Sequence, residues 1–259
     1  CHMAANCMNQ GKNVLYITLE MAEERIAERI DANLMNVSME DLHDLPKTMY
    51  DTKMKHIIKN TNGQLVIKEY PTASAHAGHF KALLNELKIK RNFAPDIIFI
   101  DYLNICASSR FRAGTAANSY TIIKSIAEEL RGLAVETNVP IVTATQTTRG
   151  GYDNSDVSLT DTAESFGLPA TADLMFALIS TEELEQMNQL MVKQLKNRYS
   201  DPTANKRFML GVDRSKMRLY DLDESVQQTI HDSGQPDPGP AFDKGAFGSR
   251  LGDFSSIKV

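Results

Sequence analysis

Short runs rich in apolar residues alternate with longer amphipathic stretches along the first 145 residues of the chain. The short runs predict buried strands at residues 14–19, 64–69, 96–101 and 139–145. Apolar side chains three or four positions apart predict helices at residues 1–9, 22–34, 46–60, 79–90 and 119–137. Alternating strands and helices are typical of an α/β fold, in which helices cover a mostly parallel central sheet.

The pattern changes in the last third of the chain. The stretch 147–171 is too long for a plain connection, which indicates a functional loop. Strands are predicted after it, at residues 173–179, 190–196, 207–212 and 217–222. We expect these to add antiparallel strands at the C-terminal side of the sheet. Five glycines and three prolines among the last 28 residues favour disorder. We therefore predict one domain over residues 1–224 and a flexible tail over residues 225–259.

Composition sets limits on the function. The 259 residues are 42% hydrophobic and 24% charged, which is ordinary for a globular protein. The net charge of −5 gives no overall basic field, so a site for a polyanion has to be local. Three cysteines in no metal-binding spacing favour a reducing compartment, and no apolar run reaches the ~20 residues of a membrane span. We expect a cytoplasmic protein with no membrane partner.

Three of the predicted parallel strands are followed by a polar residue that could do chemistry. These residues are Glu20, Asp101 and Gln146. Ligands of open parallel sheets bind at the carboxyl ends of the strands, where all three would lie. Asp101 can hold Mg²⁺, usually through a water, Glu20 can orient or deprotonate a water, and Gln146 can contact a phosphate or a water. Together they are the functional groups of a nucleoside-triphosphate hydrolase.

Two cationic side chains lie at the end of a later predicted strand. Lys196 and Arg198 are two positions apart, so they share one face of the strand. Two cations on one face repel each other unless an anion lies between them, which makes a phosphate a natural guest. The alternative is an edge strand that carries charges against aggregation.

Several segments together resemble one family. They are Thr18-Leu19-Glu20-Met21, Ile100-Asp101-Tyr102-Leu103, Thr145-Gln146-Thr147-Thr148-Arg149, Ala172-Asp173-Leu174 and Lys196-Asn197-Arg198. In order and spacing they resemble the DnaB-type replicative helicases, and most closely those of large tailed phages of the T-even group. The resemblance covers residues 1–223 and is specific as an ensemble, whereas each piece alone is weak.

The resemblance implies a RecA-like, three-layer motor domain that uses ATP and Mg²⁺, forms a hexameric ring and moves 5′ to 3′ on single-stranded DNA. Glu20 is similar to the carboxylate that activates the attacking water, and Asp101 to the Walker B acid on the Mg²⁺ side. Gln146 resembles the γ-phosphate sensor. Arg198 is similar to the arginine finger, with Lys196 beside it, and both would reach the nucleotide of the adjacent subunit.

The same resemblance assigns DNA contacts to two loops. The first spans residues 108–118 and carries Arg110 and Arg112. The second spans residues 149–172, and its candidate contacts are Arg149, Glu164, Ser165 and Gly167. Six copies of two short loops can concentrate charge in a channel, so the net charge does not exclude DNA. A primase and a helicase loader are the further partners that the resemblance implies.

The chain departs from the family pattern in three ways. The phosphate-binding loop G-x-x-x-x-G-K-[ST] does not occur in the sequence, nor does the amino-terminal collar domain of the bacterial members, and Ala163 stands where bacterial relatives often have Arg. Without that loop no backbone nest or lysine holds the β- and γ-phosphates, so we expect these 259 residues alone to hydrolyse ATP poorly or not at all.

Two other functions share parts of this pattern. A RecA-type recombinase has the same core, but the long loop after Gln146 and the Lys196/Arg198 pair favour the ring helicase. A non-hydrolytic ring or partner-binding module would explain the absent loop, but such a module has no need for Glu20, Asp101 and Arg198 together.

Overall fold

Two four-stranded sheets organise the computed structural model, which describes residues 1–111, 118–147, 158–159, 167–201 and 205–228. The strands are β1 Val14–Thr18, β2 Leu65–Glu69, β3 Ile97–Asp101, β4 Ile141–Thr143, β5 Leu174–Ile179, β6 Gln189–Asn197, β7 Arg207–Asp213 and β8 Arg218–Asp221. The helices are α1 His2–Asn9, α2 Glu23–Met35, α3 Met39–Asp44, α4 Lys47–Asn60, α5 Ala77–Arg91, α6 Ser119–Thr137, α7 Gly167–Thr171, α8 Glu182–Gln186 and α9 Glu224–Gln228, with a 3-10 turn at Leu103–Ile105.

The first sheet is parallel throughout, in the order β2-β1-β3-β4. The register pairs Val14 with Leu65 on one side and with Ile97 on the other. At the opposite end of the strands, Thr18 pairs with Asp101. Because every strand runs in the same direction, the carboxyl ends of all four form a single edge of the sheet.

Alternate residues of β1 face two separate cores, as the two-residue period of a strand requires. Leu15 and Ile17 point into a core made with α5 and α6. Val14 and Tyr16 point to the other face, into a core made with α1 and α2. Helices therefore cover both faces of the parallel sheet. This confirms the predicted three-layer α/β arrangement.

The second sheet is antiparallel, in the order β5-β6-β7-β8. The antiparallel strands were predicted, but among the described residues they form a sheet of their own rather than an extension of the parallel one. The turn between β7 and β8 docks on the end of α2. Asn33 donates to the main-chain oxygen of Met217 at 2.6 Å, and Arg218 donates to the Asn36 side chain at 2.8 Å. The second sheet is thereby tied to the helix layer of the first.

The sequence pattern missed four short helices, α3, α7, α8 and α9, of which α7 lies at the end of the predicted functional loop. Helix α3 begins at a Ser38 cap, whose hydroxyl accepts from the Asp41 amide, and α8 begins at a similar cap on Thr181. These helices are too short for apolar periodicity to reveal them. Helix α9 extends four residues into the predicted tail, and the Gln227 side chain bonds both main-chain groups of Met209. No helix of the described residues is long and apolar enough to cross a membrane.

The close approach of Gly63 to α1 gives a test of this packing. A Cβ at Gly63 would lie 2.5 Å from the main-chain oxygens of Met8 and Lys12, which cannot move independently of the helix end. We expect Gly63→Ala to lower the free energy of unfolding by about 1–3 kcal/mol. Gly132 is the matched control, because a Cβ there meets nothing within 4 Å.

Gly132 lies inside α6 and is exposed, so Gly132→Ala should raise the free energy of unfolding by about 0.5–1 kcal/mol. Urea denaturation of the two variants and the parent measures both changes. Equal effects of the two substitutions would contradict the packing described here.

Candidate active site

Three adjacent strand ends bring together the residues that the sequence singled out. Strands β1, β3 and β4 are neighbours in the parallel sheet. Glu20 follows β1 by two residues, Asp101 is the last residue of β3, and Gln146 follows β4 by three residues. The Leu19 amide donates to the Asp101 main-chain oxygen at 2.9 Å, so pairing continues up to the residue before Glu20. The predicted clustering of the three side chains at one edge agrees with the sheet order.

Asp101 is half-buried and has a fixed orientation. The Tyr16 hydroxyl donates to its Oδ2 at 2.9 Å. Burial, and then the nearby Asp101 carboxylate, raise the pKa of Tyr16, so the phenol stays protonated and remains a donor. The hydrogen bond holds the carboxylate at the end of β3 with oxygen lone pairs still available.

The donor set at this edge suits a magnesium ion that is shared with a substrate. Among the described residues, no group of three or more His, Cys, Asp or Glu side chains could hold a metal ion. Mg²⁺ prefers oxygen ligands, keeps several waters, and is commonly bound by one or two carboxylates plus substrate phosphates. The single carboxylate of Asp101 fits that kind of site.

Gln146 lies beside the residue that follows Asp101. Its Nε2 is 3.2 Å from the Tyr102 hydroxyl, and the Thr145 hydroxyl donates to the Asn104 side chain at 2.8 Å. The main chain is joined as well, since the Leu103 amide donates to the Ala144 oxygen at 3.1 Å. The segment after β4 therefore runs beside the segment after β3, and a displacement of one segment would displace the other.

An open cleft lies beside the start of α1. Its volume is about 440 Å³, and it lies between α1, α2 and the β7–β8 turn. Arg29 of α2 lines it together with Arg214 and Arg218 of the turn. Burial, and then the Arg218 guanidinium, lower the pKa of His2 in the same cleft. A cleft lined by three guanidinium groups suits an anionic ligand.

Lys196 and Arg198 converge on the end of α7, so the prediction that they share a side is consistent with the structure. Lys196 Nζ donates to the Pro169 oxygen at 2.5 Å and to the Ala170 oxygen at 3.2 Å. Arg198 donates to the Ala170 oxygen at 3.0 Å and to Asp173 Oδ1 at 2.9 Å. Both cations have partners within the subunit, and no contact in the described residues joins them to Glu20 or Asp101.

The predicted DNA-contacting residues fall into two groups. Arg110 forms an ion pair with Glu128 of α6. Gly167 is buried at the start of α7, where an added Cβ would lie 2.7 Å from Lys124 Cγ. The other predicted contacts lie outside the described residues, and they are Arg112, Arg149, Glu164 and Ser165.

The first predicted DNA loop is fastened to α6 where it begins. Glu129 accepts from the Ser108 hydroxyl at 2.5 Å and from the Ser109 amide at 3.0 and 3.1 Å. Burial alone would raise the pKa of Glu129, but the hydrogen bonds from Ser108 and Ser109 outweigh it and the pKa is lowered. The ionised carboxylate is the form that holds the loop.

Residues 1–209 match the family model described as the DnaB-like helicase C-terminal domain. The chain belongs to this family. A DnaB-like replicative helicase of Enterobacteria phage T4 is 48% identical to it over 232 residues, which are 88% of this chain and 49% of the phage protein. The replicative DNA helicase DnaB of Helicobacter pylori strain 26695 is 25% identical over 181 residues, which are 68% of this chain and 36% of that protein. The chain thus spans about half or less of these relatives.

Two solved structures share the fold of this DnaB-like domain. A DnaB-like replicative helicase, described with its interactions with primase, aligns with a TM-score of 0.69 at 18% identity over 86% of this chain and 53% of that one. A second structure, described as an ATPase domain, aligns with a TM-score of 0.68 at 18% identity over 85% of this chain and 78% of that one. The RecA-like fold and the resemblance to DnaB-type helicases, including a T-even phage helicase, are confirmed.

Sequence reasoning missed the basic cleft and the partner of Arg198 in this DnaB-like domain. Arg29 and Arg218 come together only because the β7–β8 turn docks on α2, and no local sequence pattern predicts that docking. Asp173 was visible within a family segment, but the pairing of its carboxylate with Arg198 and Arg131 depends on the fold. A carboxylate directly before a strand was the only local signal.

Glu129 allows a test of how the first loop is anchored in the DnaB-like domain. We expect Glu129→Gln to lower the free energy of unfolding by about 1–2 kcal/mol at neutral pH, because the amide weakens the hydrogen bonds from Ser108 and Ser109. The lowered pKa means that the stabilisation is full above the unfolded pKa and is lost as the pH falls through the folded pKa. Urea denaturation should therefore show a difference from the parent that shrinks in acid.

The matched control is Glu128→Gln on the same helix. Glu128 pairs with Arg110 and Lys124, whose side chains are 51% and 46% exposed, so its loss should cost about 0–1 kcal/mol. A larger effect at Glu128 than at Glu129, or a Glu129 effect that grows in acid, would contradict this anchoring.

Proposed function

We propose that the chain is the motor domain of a replicative helicase, which couples ATP hydrolysis to 5′-to-3′ movement on single-stranded DNA and to unwinding of the duplex at the replication fork. The observation that carries the proposal is the placement of Glu20, Asp101 and Gln146 on three adjacent strand ends, in a chain of the DnaB-like helicase family. Membership of the family supports the use of a nucleotide. The geometry supports the roles of the individual residues.

In this proposal each of the three residues acts on the γ-phosphoryl group. Glu20, exposed at the sheet edge, orients the attacking water and accepts its proton. Asp101, held by Tyr16, would bind Mg²⁺ through a water. The metal would neutralise charge that develops on the phosphate oxygens. Gln146 contacts the γ-phosphate and passes its presence or absence to the chain that follows β4.

The basic cleft supports a location for the rest of the nucleotide. It opens beside the start of α1, and in this proposal a nucleotide whose γ-phosphate faces Glu20 would extend toward Arg29 and Arg218. Guanidinium groups bind phosphate oxygens through paired hydrogen bonds. We assign the polyphosphate and sugar side of ATP to this cleft.

Arg198 and Lys196 would act on the nucleotide of the adjacent subunit in a hexameric ring. A cation supplied in trans stabilises the charge of the transition state and makes hydrolysis depend on assembly. The two predicted DNA loops would line the central channel. Arg110 would leave its ion pair with Glu128 and bind a DNA phosphate instead. Six copies of the loops would provide the basic surface that one chain of net charge −5 lacks.

The remaining parts of the proposal come from the family. We propose a primase and a helicase loader as partners, and the cytoplasm as the site of action, which for a phage protein is that of the host cell. The similar solved helicase is described together with primase, and this supports the first partner.

The test is ATP hydrolysis by the full-length gene product with and without single-stranded DNA. We expect hydrolysis that the DNA stimulates, and we expect Glu20→Gln to lower kcat by about 100-fold or more, because the water loses its base. Binding of a fluorescent ATP analogue should persist, since Glu20 is not proposed to hold the nucleotide.

Glu24→Gln is the matched control, because Glu24 is an exposed glutamate four residues along on α2. Its rate should equal that of the parent. The 259-residue chain alone should hydrolyse ATP slowly or not at all, because the phosphate-binding motif is absent from its sequence. Hydrolysis that single-stranded DNA does not stimulate, or a kcat that Glu20→Gln does not lower, would contradict the proposal.

A further inference from the structure

Three cations from two elements meet at the end of α7. The main-chain oxygens of Pro169 and Ala170 accept from Lys196, and the Ala170 oxygen also accepts from Arg198. The Thr171 oxygen accepts from Arg131 of α6 at 2.9 Å. Carbonyls at a helix C-terminus carry partial negative charge, which favours cations there. We call these oxygens, together with the Asp173 carboxylate, the α7 cation site.

Asp173 is the only full negative charge in the α7 cation site, and two arginines share it. Its Oδ1 lies 2.7 Å from Arg131 and 2.9 Å from Arg198. The main chain is joined too, because the Arg198 amide donates to the Asp173 oxygen at 2.9 Å. Hydrogen bonding from Arg131, with further help from Arg198 and Tyr199, lowers the pKa of Asp173 and keeps it ionised. One oxygen can accept from both arginines, but the two guanidinium groups repel each other and share a single negative charge, so they compete for that charge.

The α7 cation site connects the second predicted DNA loop with Arg198. Helix α7 is the C-terminal end of the second predicted DNA loop, and its Gly167 packs on Lys124 of α6. Lys196 lies near the C-terminal end of strand β6, and Arg198 directly follows that strand. A displacement of α7 would move the carbonyls and the carboxylate that hold Arg198. Loop position and arginine position are therefore mechanically joined within one subunit.

We propose that Asp173 and Arg131 are positioning residues for the arginine finger: Asp173 holds Arg198 within its own subunit, and Arg131 weakens that hold by competing for the same oxygen. The inference rests on the proposed function, since it assumes that Arg198 acts on the adjacent nucleotide. Arg198 then has to leave Asp173 for a phosphate, and Arg131 stays behind to neutralise the carboxylate. Displacement of α7 by DNA favours the release.

This arrangement predicts opposite effects of two substitutions. Asp173→Asn removes the charge that holds Arg198, so the DNA-independent rate of ATP hydrolysis should rise by about fivefold and stimulation by DNA should fall. Arg131→Gln removes the competitor, so the DNA-independent rate should fall by a similar factor and stimulation by DNA should rise. The double variant should resemble Asp173→Asn, because without the charge there is nothing to compete for.

The experiment measures ATP hydrolysis by the full-length gene product and these variants, with and without single-stranded DNA. Asp221→Asn and Arg25→Gln are matched controls, because both residues are exposed and lie away from the α7 cation site. A purely structural role would lower the rate in both single variants. A lower or unchanged DNA-independent rate in Asp173→Asn would overturn the inference.

Hydrogen exchange of residues 196–200 without nucleotide separates this inference from the proposed function. Asp173→Asn should speed exchange of the Arg198 amide, because this amide donates to the Asp173 main-chain oxygen and that pairing loses the support of the adjacent ion pair. Faster exchange in a protein that hydrolyses no ATP would overturn the proposed function and leave the hold on Arg198 standing. Unchanged exchange in a protein with DNA-stimulated hydrolysis would overturn the inference alone.

Discussion

Parallel pairing of β1, β3 and β4 is the constraint on which the rest of the structure depends. It places the carboxyl ends of three strands side by side, and each strand then delivers one functional side chain to the same edge. The pairing is held by apolar residues on both faces of the sheet, since Leu15 and Ile17 pack into one core while Val14 and Tyr16 pack into the other. Burial of both faces leaves the strand ends as the place where polar chemistry meets solvent.

The second sheet contributes arginines to two places. Arg214 of the β7–β8 turn and Arg218 at the start of β8 line the cleft beside α1, and Arg198, directly after β6, lies in the α7 cation site. The two groups serve different ends in the proposed ring. In that proposal the cleft would bind the nucleotide of its own subunit, and Arg198 would leave Asp173 for the nucleotide of the next subunit. One antiparallel sheet would thus connect two active sites.

The sequence predicts those parts of the fold whose periodicity is long or strongly apolar. Helix α6 at 119–137 matches its prediction residue for residue, and β1 and β3 differ by a residue, because dense apolar patterns leave little choice. Strand β4 is shorter than predicted, and the helices α3, α7, α8 and α9 were missed, because helices of five or six residues are too short for apolar periodicity to reveal them. The placement of Glu20, Asp101 and Gln146 at the ends of predicted strands could be read from the sequence. Arg29 and Arg131 were not, since their roles arise from contacts between distant segments.

The most direct test of the central claim is hydrogen exchange of the full-length gene product with Mg²⁺ and a non-hydrolysable ATP analogue. We expect simultaneous protection of residues 18–21, 101–104 and 143–147, the segments at the three adjacent strand ends, with no change in α4, whose Tyr50 hydroxyl donates to Asp31 of α2. An analogue that binds and protects none of these three segments, or only one of them, would contradict the assignment of a single nucleotide site to this edge.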